Sequence, residues 1–239
     1  MLRVTVFNEF RHEKLHELPR KLYPEGIHTV IADFLCGEDV TVTTVTLDTV
    51  EDGLSAEALA RTDVLLWWGH IAHSEVPDEV ALRVRDAVLM GMGAIFLHSA
   101  HHSKPFRLLM GTSCNLTWRA EGENEVLWVI DPSHPITAGI DRYLYLPGEE
   151  MYGEPFAIPE PDKLLLVGSF NTGEVIRAGC LWQRECGKVF YFQPGHETYP
   201  TYHREDVQRV LKNAVRFVAP THRSEALACQ RVAIIDERK

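Results

Sequence analysis

Histidines at the ends of apolar runs are where this sequence could do chemistry. His98 directly follows Ala94–Leu97, His196 follows Val189–Phe192 across Gln193-Pro194-Gly195, and His70 and His73 follow Val64–Trp68. His12 stands a few residues beyond a fourth run, Val4–Phe7. An imidazole is a metal ligand and, near neutral pH, a general acid or base, so histidines gathered in one place point to metal binding or proton transfer. Carboxylates to join them lie in Gly148-Glu149-Glu150-Met151-Tyr152-Gly153-Glu154. The flanking glycines and the apolar neighbours Met151 and Tyr152 anchor that motif and turn Glu150 inward, where a carboxylate acquires a shifted pKa or a cation. The expected catalytic set is His98, Glu150, His196 and Tyr152. As His/Glu ligands with an open position, His98, Glu150 and His196 suit a divalent metal such as zinc; without one they form an acid–base set. Pro194-Gly195 makes a tight turn that holds His196 rigidly.

Substrate contacts are expected from His12, Trp68, His70, His102, Glu149 and Glu197. Trp67-Trp68 ends a strand and offers an indole on which a sugar ring can stack, although one of the two is expected to fill the core. His12-Glu13-Lys14-Leu15-His16 spells H-E-x-x-H, which binds zinc only within a long helix. Here it follows a strand closely and meets Pro19 three residues later, so only His12 is expected to face the site. Ser99 beside His98 suggests a serine nucleophile, but G-x-S-x-G is absent and Ser103 reads as the cap of a helix at 104–110.

The elements that must position these groups alternate. Strands are expected at 3–8, 40–47, 64–68 and 94–97, with helices near 24–35, 55–61 and 78–90 between them; in the last, Val80, Val84, Ala87, Val88 and Met90 approximate a helical stripe that Gly91 ends. Such β-α alternation with apolar strands predicts a parallel sheet with helices on both faces, a three-layer flavodoxin-like sandwich, and ligands beyond the carboxyl ends of its strands. The proline-rich stretch 131–162 is expected to be a long ordered loop. Hairpin strands at 164–170, 174–182 and 188–192 and a helix at 204–218 complete one α/β domain over 1–220, with an extension at 221–239 that contains the apolar run Val232–Ile235.

Composition narrows the partners. The chain has 239 residues, is 45% hydrophobic and carries a formal charge of −10, without a basic stripe, so nucleic acid is not an expected partner. No apolar run approaches the roughly 20 residues that span a bilayer. The N-terminus enters a strand with no signal-like segment, and five cysteines without a C-x-x-C pair fit reduced thiols; a cytoplasmic protein is expected, with no nucleotide cofactor. The extension could pack against a neighbouring subunit, as a homo-oligomer would have it.

WWGHIAH, GMGAIFLHSAHHSKPFRLLMGTSC, DPSHPITAGI, GEEMYGEPF, GEVIRAGC and FYFQPGHETYPTYH together resemble the ThuA-like family, named for trehalose utilisation, from about Val4 to Val218. The resemblance implies the class I glutamine-amidotransferase-like fold and a role in disaccharide catabolism, on trehalose or a keto derivative of it. It marks His12, His98, Glu149-Glu150-Met151-Tyr152 and Gly195-His196 as the family's pattern. It does not imply amidotransferase activity: that chemistry needs a cysteine after the central strand and His-Pro-Glu after the last, where this chain has His98-Ser99-Ala100 and Gln193-Pro194-Gly195-His196. An enzyme acting on a small carbohydrate is the leading expectation, and a non-catalytic sugar-binding or regulatory protein the alternative.

Overall fold

In the computed structural model, which describes residues 1–228, nine strands form one sheet: Leu2–Asn8 (β1), Val40–Thr46 (β2), Val64–Trp68 (β3), Gly93–Leu97 (β4), Thr117–Val129 (β5), Tyr143–Gly153 (β6), Lys163–Phe170 (β7), Val175–Arg184 (β8) and Gly187–Phe192 (β9). Their order is β2-β1-β3-β4-β9-β8-β7-β5-β6. Pairing is parallel from β2 to β9 and antiparallel from β9 to β6. The sheet is therefore mixed, and its parallel half carries the histidine-ended runs. Every residue of β3 and β4 is buried, which is why both read as continuous apolar runs rather than alternating ones. Phe7, Trp67 and Phe96 lie side by side across β1, β3 and β4 and form the aromatic centre of the core.

The helices are His12–Leu15 (α1), Glu17–Leu22 (α2), Ile27–Leu35 (α3), Val50–Gly53 (α4), Ala56–Ala60 (α5), Asp78–Leu89 (α6), Lys104–Met110 (α7) and Glu205–Val218 (α8). The Ser103 hydroxyl accepts from the Phe106 N–H and caps α7, as the sequence predicts. Helix α8 buries Val207, Val210, Leu211, Ala214, Val215 and Val218 at helical spacing; each such side chain contributes about 1.5–3 kcal/mol when fully buried. It meets α3 through Lys212 over the Phe34 ring, whereas α5, α6 and α7 contact one another in sequence.

Two strands depart from expectation. β5 carries no clear sequence signal, and β6 falls inside the stretch read as loop. β6 holds Pro147-Gly148 in its middle, which a central strand would not tolerate, but it lies at the sheet edge. Opposite Pro147-Gly148 the β5–β6 register shifts, Glu123 pairing with Glu149 and Glu125 with Leu146, so β6 carries one extra residue there. Before this bulge β6 alternates between buried and exposed; from Glu149 onward every residue is buried. The bulge turns the strand into the molecule and delivers Glu150.

Residues 222–224 of the extension pack beside the end of α6, where the Ser224 N–H donates to the Met90 carbonyl at 2.8 Å. Cys229 and the Val232–Ile235 run lie outside the described residues. Cys36, Cys114, Cys180 and Cys186 are free thiols. No helix among the described residues is long and apolar enough to cross a membrane.

Candidate metal and substrate site

β1, β3, β4 and β9 are adjacent and parallel, so the residues following them meet at one end of the sheet. His98 is the first residue beyond β4 and is fully buried, with φ of 52°, a left-handed conformation that Asn tolerates better than most residues. Its Nδ1 lies 3.0 Å from the Gln193 carbonyl, which can only accept, so Nδ1 carries the proton and Nε2 presents its lone pair inward. His70 is set the same way: Nδ1–H donates to Glu197 Oε2 at 2.9 Å and Nε2 faces inward. His196 differs: its Nδ1 accepts from the Thr198 N–H at 3.2 Å and lies 2.7 Å from the Thr198 hydroxyl, so the neutral ring carries its proton on the inward Nε2, which would give it up to a cation. These Nε2 atoms surround one oxygen: Glu150 Oε2 is 3.0 Å from His98 Nε2 and 3.9 Å from both His70 Nε2 and His196 Nε2. That oxygen is buried and lacks a well-directed hydrogen bond, and the ligand atoms of the four residues all lie within 4.8 Å of one another. An orphaned carboxylate oxygen among inward-facing imidazole nitrogens fits a bound cation, which would supply the missing partner.

The electrostatics keep Glu150 and Glu197 charged. Burial pushes Glu150 up, but the close approach of His98 and the positive charge that His98, His196 and His70 carry when protonated outweigh it and hold the carboxyl down at about 2. Glu197 behaves alike, burial being overcome by its bond to His70 and the charges of His70, His196 and His12, to reach about 2. Burial, helped by the His98 charge against the pull of Glu197 and Glu150, lowers His196 to about 4. His70 goes the other way: burial lowers it, but its bond to Glu197 and the charges of Glu197, Glu150 and Glu9 outweigh that and raise it, so a metal, which takes ionised carboxylate and neutral imidazole, would displace a proton there.

A shell of carboxylates holds the histidines. Glu197 Oε1 also lies 3.0 Å from His12 Nδ1, so this one group ties His12 to His70. Glu149 is wholly buried beneath the last turn and accepts from the N–H groups of Gly195 and His196, each at 3.3 Å, and from the Thr201 hydroxyl. Gly195, at φ of 125°, has no room for a side chain: a Cβ would sit 2.1 Å from the Tyr202 hydroxyl. Glu9, not foreseen from the sequence, accepts from the N–H groups of Ile71 and Ala72 at 3.0 and 2.9 Å and so fixes the loop carrying His70. Its only sequence signal is a carboxylate immediately after β1.

A cleft of about 210 Å³ opens onto the cluster and is walled by His70, His73, Ser99, His101, His102, Asn115, Leu116, Trp118, Glu150 and Tyr152. The Tyr152 ring stacks on His98 with centroids 4.8 Å apart, and its hydroxyl reaches the Ser99 hydroxyl and lies 3.3 Å from His98 Nε2. Ser99 is thus paired with a phenol and not with an imidazole base, an arrangement unlike that of an activated serine nucleophile. Of the expected substrate contacts, His70 and His102 line the cleft, and His70 in addition joins the cluster with His98, Glu150 and His196. Trp68 does not: it is fully buried and donates its indole N–H to the Gly195 carbonyl at 3.0 Å, leaving no face for a sugar. His12, Glu149 and Glu197 are likewise buried behind the cluster, where they support it rather than border the cleft. The H-E-x-x-H segment is a single turn: His12 points to Glu197, His16 is exposed, and Glu13 is buried, accepting from Asn8 and the Ile27 N–H.

The sequence profile of ThuA, described as trehalose utilisation, matches residues 3–218. The chain belongs to the ThuA family. No curated relative matches at the level of sequence. Among solved structures, a ThuA-like protein from Bacteroides uniformis aligns with a TM-score of 0.66 at 15% identity over 91% of each chain. A cytoplasmic protein from Salmonella typhimurium aligns at 0.60 with 13% identity, covering 92% of this chain and 100% of its own. A glutamine amidotransferase from Thermotoga maritima aligns at 0.51 with 10% identity, over 91% and 97%. At these identities the likeness is one of fold. This ThuA-family chain therefore shares its mixed α/β architecture with a glutamine amidotransferase, while Ser99 and Gly195-His196 stand in the segments where the resemblance places that chemistry's cysteine and His-Pro-Glu.

Proposed function

We propose that this ThuA-family protein is a metal-dependent enzyme of disaccharide catabolism, acting on trehalose or a keto-sugar derived from it, without amidotransferase activity. The observation that carries the metal is Glu150 Oε2, buried without a directed hydrogen bond among the Nε2 atoms of His70, His98 and His196. Three imidazoles and one carboxylate favour a transition ion such as zinc over magnesium or calcium, which prefer all-oxygen ligands. When bound, the ion would act as a Lewis acid toward a sugar oxygen. The chain's own groups do the rest. The Gln193 carbonyl and Glu197 keep His98 and His70 in the tautomer with Nε2 open, and the Tyr152 hydroxyl, beside His98 Nε2 and on the cleft wall, is placed to exchange a hydrogen bond with a sugar hydroxyl. His102, exposed on the same wall, offers a second polar contact. The family's description supports the carbohydrate, and the polar lining suits a hydroxyl-rich ligand.

The parallel strands run β2-β1-β3-β4-β9, the 2-1-3-4-5 order of flavodoxin-like sheets, and right-handed crossovers put α3 on the face opposite α5 and α6. A cytoplasmic location is supported by the free thiols and by the cytoplasmic designation of the Salmonella typhimurium neighbour.

Elemental analysis of protein purified without chelator tests the proposal, with His98→Asn and His196→Ala beside the wild type. Asn suits position 98 because it accepts the left-handed backbone found there. About one equivalent of a transition metal in the wild type and its loss in both folded variants is expected; equal metal content in all three overturns the ligand assignment.

A further inference from the structure

The cleft is small and polar at its floor, yet one side of its mouth is an indole. At about 210 Å³ it falls below the roughly 300–1,000 Å³ of pockets that enclose a drug-sized ligand. It has room for one pyranose ring beside Glu150 and Tyr152, so the second ring of a disaccharide must lie across the rim. Trp118 stands there. It pairs directly with Tyr152 across the β5–β6 ladder, and residues directly opposite in an antiparallel pair share a face with Cβ atoms about 4.5–5.5 Å apart. Tyr152 is 3% exposed and reaches into the cluster, whereas Trp118 is 66% exposed at the mouth. The chain's other partly exposed tryptophan, Trp128, is engaged: its N–H donates to Ser169, Tyr143 packs on its ring and the Arg142 guanidinium lies over it. Trp118 carries no such partner among the described residues. Beside it, Asn115 Oδ1 lies 3.1 Å from His102 Nε2, a polar pair suited to hydroxyl groups. An apolar ring face next to amide and imidazole groups matches the two kinds of surface a pyranose presents, its C–H face and its hydroxyl edge.

We propose that Trp118, with Asn115 and His102, forms an outer sugar subsite in which the indole stacks the second ring of a disaccharide whose first ring occupies the cleft. This rests on the reading that the ligand is a disaccharide. The subsite sets selectivity for a disaccharide over a monosaccharide without touching the metal ligands.

Calorimetric titration of the protein as purified with trehalose, with a keto derivative of it and with glucose tests it, using wild type, Trp118→Ala and Trp118→Phe, with metal content measured for each. Trp118 is exposed, so both variants are expected to fold. Trp118→Ala should weaken trehalose binding roughly 10- to 100-fold, the range for truncating an aromatic anchor, and change glucose binding less than about twofold. Trp118→Phe should recover much of the loss, and metal content should be unchanged. Trehalose binding unaltered in Trp118→Ala, or an equal loss for both sugars, overturns the outer subsite and leaves the disaccharide reading standing. A wild type that binds neither trehalose nor a keto derivative of it refutes that reading, and the subsite with it.

Discussion

Replacing Glu197 with Gln tests whether the proposed centre is organised as its geometry implies. The carboxylate accepts from His70 Nδ1 at 2.9 Å through one oxygen and lies 3.0 Å from His12 Nδ1 through the other. A Gln side chain is nearly the same size, and it offers a carbonyl to only one imidazole while its amide N–H groups confront the second. Where the amide faces His70, the ring must move its proton to Nε2, and the atom that points at Glu150 ceases to be a ligand. Where the carbonyl faces His70, the tautomer survives, but the charge-assisted bond becomes a neutral one roughly half as strong. Partners that orient a ligating histidine typically contribute 10- to 100-fold to metal affinity, or about 1.4–2.8 kcal/mol at 1.4 kcal/mol per tenfold. Glu197→Gln should therefore bind zinc 10- to 100-fold more weakly than wild type, and less severely than His98→Asn, which removes a ligand outright. Competition with a chromogenic chelator gives the affinities, and circular dichroism shows that the variant folds. A folded Glu197→Gln within twofold of wild type would refute the claim that this carboxylate sets the ligand state of His70.

Two further outcomes follow from groups around the site. His101 is buried, its Nδ1 lies 2.7 Å from the Cys114 carbonyl, and burial pushes its pKa down to about 3. Because the folded value lies below the unfolded value of about 6.5, the unfolded chain takes up a proton that the folded one refuses. Stability is full above pH 6.5 and falls toward pH 3 by up to about 1.4 kcal/mol per pH unit for this group. His101→Asn keeps an N–H donor without the titration, so urea denaturation between pH 6 and 4 should show a shallower loss; slopes equal to wild type would count against it. Gly195→Ala should lower the melting temperature by roughly 4–8 °C, from about 2 kcal/mol of strain at φ of 125° and the collision with Tyr202, and should weaken metal binding by moving His196. A shift below 1 °C by calorimetry would show that the turn accommodates a side chain.

His98 and His196 were legible as site residues because His98 immediately follows the buried strand β4 and His196 follows β9 across one tight turn, and backbone geometry carries such residues to the sheet's carboxyl end. Glu150 was legible only as an acidic residue among anchors. Its inward position depends on the bulge opposite Pro147-Gly148, which exists because β5 and β6 pair at the sheet edge. Trp68 illustrates the converse: a local run cannot show whether a strand-end indole meets solvent, and here the β9 turn covers it.

From local pattern alone, the sequence determined the parallel strands β1 to β4 and β9, the helices α6, α7 and α8, and the end of the sheet at which the histidines gather. Only the tertiary structure decided that His70 joins the cluster, through a Glu197 that lies 127 positions away, and that Trp118 stands opposite Tyr152 at the mouth of the cleft. Periodicity and strand ends are properties of neighbouring residues, and folding preserves them. Which Nε2 atom is free, which carboxylate is orphaned and which indole stays uncovered are set by pairings between distant segments, and those exist only once the sheet has closed.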